Sequence, residues 1–180
     1  MAEGYEVQRI DRIAGWLVGA GVLALDLGLK SIALLGGCGD RFRLGGELFD
    51  HLAIDPGCSS TALAGPQLTL GPFHHDGLLF GLASGGFEGF LGQVVALAYL
   101  LVATIVTILV TRWQYRTGWD NHALGLVWGG AAALAWPRLA GDGSGAAELQ
   151  AFGLLTGVGS LALVWGTVWL LVRLVAELRG

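Results

Sequence analysis

The stretch GFLGQVVALAYLLVATIVTILVT, residues 89–111, decides the fold class of this 180-residue chain. It contains no Asp, Glu, Lys, Arg or His, and about 20 mostly apolar residues are enough for a helix to cross the roughly 30 Å of bilayer hydrocarbon. A second stretch without these side chains, LQAFGLLTGVGSLALVWGTVWLLV, occupies residues 149–172. Both segments therefore predict membrane-spanning helices.

Two further spans are predicted with weaker signals. Residues 13–37 are long enough but contain Asp26 and Lys30, and the length of this segment and its internal ion pair favour a retained span over a cleaved signal peptide. Residues 121–138 include the apolar run ALGLVWGGAAALAWP, and polar residues at both ends can lie at the membrane interfaces. The prediction is an all-α membrane protein, a four-transmembrane-helix bundle that forms a single membrane domain over residues 1–180.

The composition agrees with a membrane protein and excludes other classes. The chain is 54% hydrophobic and 13% charged, whereas soluble domains carry about 25% charged residues. Its net charge of −4 offers no basic surface to a polyanion, so we expect no nucleic-acid partner. Adjacent histidines such as His74 and His75 tend to point apart, so no metal site and no cofactor are predicted.

The distribution of arginines predicts the orientation of the spans. Cytoplasmic loops carry an excess of Lys and Arg beside span ends. Six of the nine arginines lie in the three segments that share one side of a four-span bundle: Arg9, Arg12, Arg112, Arg116, Arg173 and Arg179. Both termini are therefore predicted to be cytoplasmic.

The loop of residues 38–87 then becomes a small extracytoplasmic domain with short helix and strand elements. We expect an amphipathic helix around residues 48–54 and a strand around residues 67–73, which prolines flank. Cys38 and Cys58 lie in this loop and are candidates for one disulfide in an oxidising compartment. Two free thiols are the alternative, because the sequence does not fix the distance between these cysteines.

Asp26 and Lys30 are the costly residues of the first span. An ionisable side chain inside a span costs about 2.5–3.5 kcal/mol on insertion scales, and the i, i+4 spacing lets these two pair on one helix face. They are either a self-neutralising pair near the interface or an anchor that positions backbone or headgroups beside a site. In the third span, Gly125, Gly129 and Ala133 recur at four-residue intervals, which predicts a helix that packs in the centre of the bundle.

Three motifs carry a resemblance to a known family. ALDLGLK at residues 24–30 is similar to Leu-Asp-x-x-x-Lys, and HDGLLFG at residues 75–81 is similar to Asn-x-Gly-Ala-Ala-Phe, with His75 replacing asparagine. GGAAALAWPRL at residues 129–139 falls without a gap on Gly-Gly-Ala-x-Gly-Asn-x-x-Asp-Arg-Leu, in which Arg138 matches the arginine. On these motifs the chain resembles the bacterial lipoprotein signal peptidases, four-helix aspartyl peptidases that cut prolipoproteins at the outer surface of the cytoplasmic (inner) membrane.

The resemblance implies a multi-pass protein of the bacterial inner membrane, with Asp26, Lys30, His75 and Arg138 as binding residues. The resemblance also shows which positions correspond to the family's two catalytic aspartates. In this chain neither position carries a carboxylate. The matching positions are Ala146 and Thr156, and the family's supporting Asn and Asp are replaced by Leu134 and Pro137.

Aspartyl peptidases need two carboxylates that share one proton, because one activates water while the other polarises the carbonyl group. Alanine and threonine cannot replace them. The only acids of residues 121–172 are Asp142 and Glu148, both in the second outer loop at residues 138–148. These two could form a displaced catalytic pair.

Two functional hypotheses follow. The first is a non-catalytic pseudoenzyme that acts as a binding or accessory subunit of a larger membrane protein complex, with membrane lipid and other membrane proteins, among them a lipoprotein, as partners. The alternative is a divergent active lipoprotein signal peptidase that uses Asp142 and Glu148. A transporter component is disfavoured because the sequence has no inverted repeat and no obvious pore lining.

Overall fold

The computed structural model describes residues 2–38, 61–62, 68–75, 89–111, 118–140, 145–151 and 154–179. Within these ranges the chain forms four helices: α1 Ala2–Cys38, α2 Gly89–Thr111, α3 Gly118–Ala140 and α4 Val158–Arg179. It also forms four strands: β1 Thr61–Ala62, β2 Leu68–His75, β3 Gly145–Ala151 and β4 Leu154–Thr156.

Three of the helices in the described part of the chain are long and apolar enough to cross a membrane, over Ile13–Ile32, Gly89–Val110 and Val158–Arg179. The prediction of a multi-pass membrane protein is thereby confirmed. At 23 residues α3 is about 34 Å long, which is the length of a span. Its polar first turn and Arg138 lower its mean hydropathy, so the count of four spans stays a prediction.

Helix α3 is the centre of the bundle. Among the described helices, α1, α2 and α4 each pack along α3, whereas α2 makes little contact with α1 or α4. The predicted small-residue face is buried, and a Cβ atom on Gly125 would overlap the carbonyl oxygen of Gly15, while one on Gly129 would overlap that of Gly19. Helices α1 and α3 therefore run parallel with their backbones in direct contact, which larger side chains would prevent.

The four strands form one antiparallel sheet in the order β1-β2-β3-β4. Strand β2 confirms the strand predicted around residues 67–73. Its pairing with β3 is irregular between Leu70 and Phe73, as expected where Pro72 has no N–H to donate. The predicted helix at residues 48–54 and Cys58 lie outside the described residues, so the disulfide between Cys38 and Cys58 stays a prediction.

The fourth helix begins later than the sequence predicted, and this corrects the boundary at residue 149. Residues 145–151 form β3 and residues 154–156 form β4, and α4 starts only after Gly157, whose carbonyl oxygen accepts the Leu161 N–H at 3.1 Å. An apolar run cannot by itself distinguish a buried strand from a helix. The pairing of β3 with β2 satisfies the backbone of this segment, so the connection between α3 and α4 contributes to the sheet as well.

Candidate functional site

The carboxylate of Asp26 connects three helices inside the bundle. Asp26 lies on α1 and is fully buried. Its Oδ1 accepts the backbone N–H of Gly159 at 2.6 Å, and its Oδ2 accepts a hydrogen bond from the Lys30 ammonium group. Lys30, which is 4% exposed, also donates to the carbonyl oxygen of Ala133 on α3 at 3.4 Å. These four residues, here called the Asp26 network, join α1, α3 and α4.

The position of Gly159 explains how α4 stabilises this carboxylate. Gly159 is the second residue of α4, and the first four N–H groups of a helix have no partner within it. A negative charge is favourable at this end because the helix dipole is positive there. Asp26 therefore caps α4 from another helix, in addition to its pairing with Lys30.

Small side chains make room for the Asp26 network. A Cβ atom on Gly159 would lie 2.6 Å from the Cβ of Ala133 and 3.1 Å from Oδ1 of Asp26. The predicted ion pair between Asp26 and Lys30 is present, and the Asp26 carboxylate also accepts the backbone N–H of Gly159. A role of either residue in holding a ligand stays a prediction.

Polar side chains continue beyond the Asp26 network toward the end of the bundle at which α3 ends and α4 begins. Arg138, 1% exposed, follows Ala133 by five residues on α3, and Thr156, 8% exposed, precedes Gly159 by three. Helices α3 and α4 are antiparallel, so both lie on the same side of the network.

Two buried hydroxyl groups lack hydrogen bonds within the described part of the chain. They are Oη of Tyr99 and Oγ1 of Thr156. A buried polar group left without a partner costs about 1–3 kcal/mol, and each such group in a native structure needs an explanation, such as a water molecule or a ligand. The end of the bundle near Thr156 is therefore a candidate binding site.

The sheet brings the remaining predicted positions to this end. His75 is the last residue of β2 and pairs with Gly145, so Ala146, which pairs with His74, lies on the adjacent strand. Thr156 pairs with Leu149, which is three residues, or about 10 Å, along β3 from Ala146. The two positions that the resemblance matched to the family's catalytic aspartates, Ala146 and Thr156, thus belong to neighbouring strands.

Of the two acids in the alternative catalytic pair, only Glu148 lies within the described residues. Glu148 lies on β3 between Ala146 and Leu149, and Asp142 lies outside the described residues. Within those residues no group of three His, Cys, Asp or Glu side chains could hold a metal ion. Leu134 is buried on α3 without a polar group, and Pro137 lies inside the last turn of that helix.

A second buried carboxylate was not singled out by the sequence analysis. Asp120, in the first turn of α3, is fully buried, and its Oδ1 accepts hydrogen bonds from Nε of Arg173 at 3.3 Å and from Nε1 of Trp169 at 3.4 Å. Nη2 of Arg173 also lies 3.9 Å from Oε1 of Glu177. An acid at a helix start was the available signal, but Asp120 fell one residue outside the predicted span.

Two clefts flank α2. The α1–α2 cleft has a volume of about 580 Å³, and α3 forms its floor between α1 and α2. The α2–α4 cleft has a volume of about 770 Å³, and its walls are almost entirely aliphatic apart from Tyr99 and Thr167. Both have the volume of a small-molecule pocket.

Comparisons with known proteins show the fold alone. No sequence model of a known protein family matches the chain, and no curated protein matches it significantly. Among the solved structures similar to this chain are two that are each described as a bacterial membrane enzyme determined by the in meso method. The one at 2.3 Å resolution has a TM-score of 0.62 and 13% sequence identity, over 91% of this chain and 88% of that chain. The one at 1.9 Å resolution has a TM-score of 0.58 and 14% identity, over 89% of this chain and 92% of that chain. The chain therefore has the fold of a bacterial membrane enzyme.

Proposed function

We propose that this protein is a non-catalytic relative of the lipoprotein signal peptidases that acts as a binding or accessory subunit of a larger membrane protein complex. It lies in the bacterial cytoplasmic membrane with both termini in the cytoplasm, and it binds membrane lipid and other membrane proteins, among them a lipoprotein. The sheet formed by β1 to β4 lies on the outer side in this proposal.

The observation that carries the proposal is the chemistry of Thr156. This position corresponds to the family's second catalytic aspartate, and here it presents a buried hydroxyl without a hydrogen-bond partner in the described ranges. A hydroxyl group at neutral pH can neither share a proton with a second carboxylate nor serve as the base that activates water. Ala146, at the position of the first aspartate, supplies no polar side chain at all.

The Asp26 network supports the retention of the family's architecture. Asp26 and Lys30 belong to the motif that carries the resemblance, and their contacts hold the start of α4 against α1 and α3. This is the helix start that would position the second aspartate of an active enzyme. The scaffold of the site is therefore maintained although the reactive groups are not.

Binding rather than hydrolysis is the chemistry that the remaining groups offer. Arg138 and Thr156 are buried and polar at the same end of the bundle, and the backbone of His75 lies beside β3. Arginine suits a carboxylate or carbonyl oxygen, and a free hydroxyl can donate or accept. A peptide or a lipid headgroup would supply the missing partner of Thr156.

A cleavage assay tests the loss of catalysis. The purified protein is incubated in detergent with a diacylglyceryl-modified prolipoprotein, and an active lipoprotein signal peptidase serves as the positive control. We expect no cleavage product. Cleavage that disappears with Asp142→Asn or Glu148→Gln would support the alternative, an active peptidase with a displaced pair, and would contradict the proposal.

A second experiment tests the accessory role. The protein is expressed from its own promoter, and the native membranes are solubilised in mild detergent. The protein is then purified and analysed by size-exclusion chromatography and mass spectrometry. We expect a complex in which this chain and its partner proteins are present in constant stoichiometry. A lone monomer with no co-purifying membrane protein would contradict the accessory role, even if the cleavage assay is negative.

A further inference from the structure

The α1–α2 cleft lies away from the site described above. Its walls include Gly15, Trp16 and Leu23 of α1, and its floor runs along α3 from Asn121 to Ala132. The indole rings of Trp16 and Trp128 meet edge to face, with centroids 5.4 Å apart, on its wall. Since 11 residues separate Asn121 from Ala132, the cleft is about 16 Å long.

Asn121 gives this cleft a polar end. It is 7% exposed, and its side chain makes no hydrogen bond with any residue in the described ranges. An amide has two donors and an acceptor. Because Asn121 lines the cleft, an occupant of the cleft can supply its partner.

The length and polarity of the cleft indicate what that occupant is. Asn121 is the fourth residue of α3, so it lies near one membrane interface, and the cleft continues inward between apolar and aromatic side chains. One leaflet of hydrocarbon is about 15 Å thick, which is the length of the cleft, whereas a partner helix would need a groove of about 30 Å. A lipid acyl chain with a polar group at its outer end fits this arrangement.

The volume agrees with one chain. A methylene group takes roughly the 30 Å³ that a water molecule takes in the liquid, so a chain of about 16 carbons needs about 480 Å³. The cleft offers about 580 Å³. A second chain of the same lipid would lie outside it, against the bulk membrane.

We propose that the α1–α2 cleft binds one acyl chain of a glycerophospholipid from the leaflet at the α3 N-terminal end. The amide of Asn121 donates a hydrogen bond to the ester carbonyl oxygen at the head of that chain. The ester is common to glycerophospholipids, so binding depends on the ester and the chain rather than on the headgroup. This site deepens the lipid binding proposed above, but it lies at the opposite end of α3 from Arg138 and Thr156, so its test does not depend on the site at that end.

Native mass spectrometry of the full chain, purified in mild detergent and then incubated with dipalmitoyl phosphatidylglycerol, tests the site. Ala20 lines the α1–α2 cleft and Ala98 lines the α2–α4 cleft, so Ala20→Phe and Ala98→Phe place the same bulk in either cleft. We expect Ala20→Phe to remove one bound lipid per chain and Ala98→Phe to retain it. Equal retention by both variants, or loss in Ala98→Phe alone, would overturn the proposal.

A lipid analogue that lacks the ester carbonyl group tests the hydrogen bond to Asn121 and leaves the packing of the protein unchanged. The same measurement is made with the diether analogue, which has the same chains and headgroup but no ester carbonyl. We expect the wild-type protein to bind the diester about fivefold more tightly than the diether, as one net hydrogen bond provides. Asn121→Leu should bind both lipids equally, at the affinity of the wild type for the diether. A wild-type protein without this preference, or a preference that persists in Asn121→Leu, would contradict the role of Asn121.

Discussion

Asp26 accepts the backbone N–H of Gly159, a residue 133 positions further along the chain, at a distance of 2.6 Å. One carboxylate therefore determines where the fourth helix begins relative to the first. Because Lys30 neutralises the same carboxylate, the charge cost inside the bundle is reduced by a residue one turn away on the same helix. This contact is the basis of the first two predictions.

Asp26→Leu should lower the free energy of unfolding by about 3–5 kcal/mol, because it leaves the Lys30 ammonium buried without its counter-ion. The loss also removes the partner of the Gly159 N–H. Unfolding in mixed micelles, followed by circular dichroism, measures the difference from the wild type.

The double variant Asp26→Leu with Lys30→Leu is the matched control. Replacement of a whole buried ion pair by apolar side chains is often neutral, so it should recover most of the stability, apart from the hydrogen bond to Gly159. A double variant as unstable as Asp26→Leu would show that the carboxylate stabilises the bundle through α4 alone.

Gly159→Ala should destabilise the protein by about 1–3 kcal/mol, as overpacking in a close contact does. The added methyl group would lie 2.6 Å from the Cβ of Ala133. Removal of that Cβ by Ala133→Gly in the same chain should restore a large part of the loss, whereas Ala131→Gly should not. Equal effects of the two second substitutions on the midpoint of thermal unfolding would contradict the contact.

Arg173→Leu should lower the free energy of unfolding by about 1–3 kcal/mol, because Asp120 is fully buried and would lose its hydrogen bond and ion pair with Arg173. Glu177 is the control, since its contact with Arg173 is 3.9 Å long and both side chains are 31% exposed. Glu177→Gln should change the stability by less than about 0.5 kcal/mol. Similar losses from Arg173→Leu and Glu177→Gln would mean that Arg173 acts through Glu177 instead.

The sequence was most informative where a residue type conflicts with its surroundings. Asp26 and Lys30 stood out because charges are rare in an apolar span, and the small residues of α3 stood out through their spacing. Gly159 could not be found in the same way, because 31 glycines occur in the chain and the relevant contact is with a residue on another helix. Nothing local to Gly159 identifies its partner.

The sheet shows the other limit of the sequence. Residues 149–156 are as apolar as the helix that follows, so composition extended the predicted span over them. The pairing of β3 with β2 that makes them strands involves residues about 80 positions away, such as Leu149 opposite Leu70. A periodicity argument considers neighbours in the chain, and it therefore predicted β2 but not β3.

A substitution at Thr156 distinguishes a structural role of its hydroxyl from a role in binding a partner. Thr156→Val removes the hydroxyl and keeps the shape of the side chain, so in the free protein it should be neutral or should stabilise by up to about 1 kcal/mol, because an unsatisfied buried group is lost. If the hydroxyl contacts a bound peptide or headgroup, the same variant should co-purify with less of that partner. Ser160, in the first turn of α4 and also buried, provides the control Ser160→Ala, which should leave the bound partner unchanged. A clear loss of stability in Thr156→Val without ligand would instead mean that the hydroxyl is already satisfied in the folded protein, and would remove the main support for a binding site at this end of the bundle.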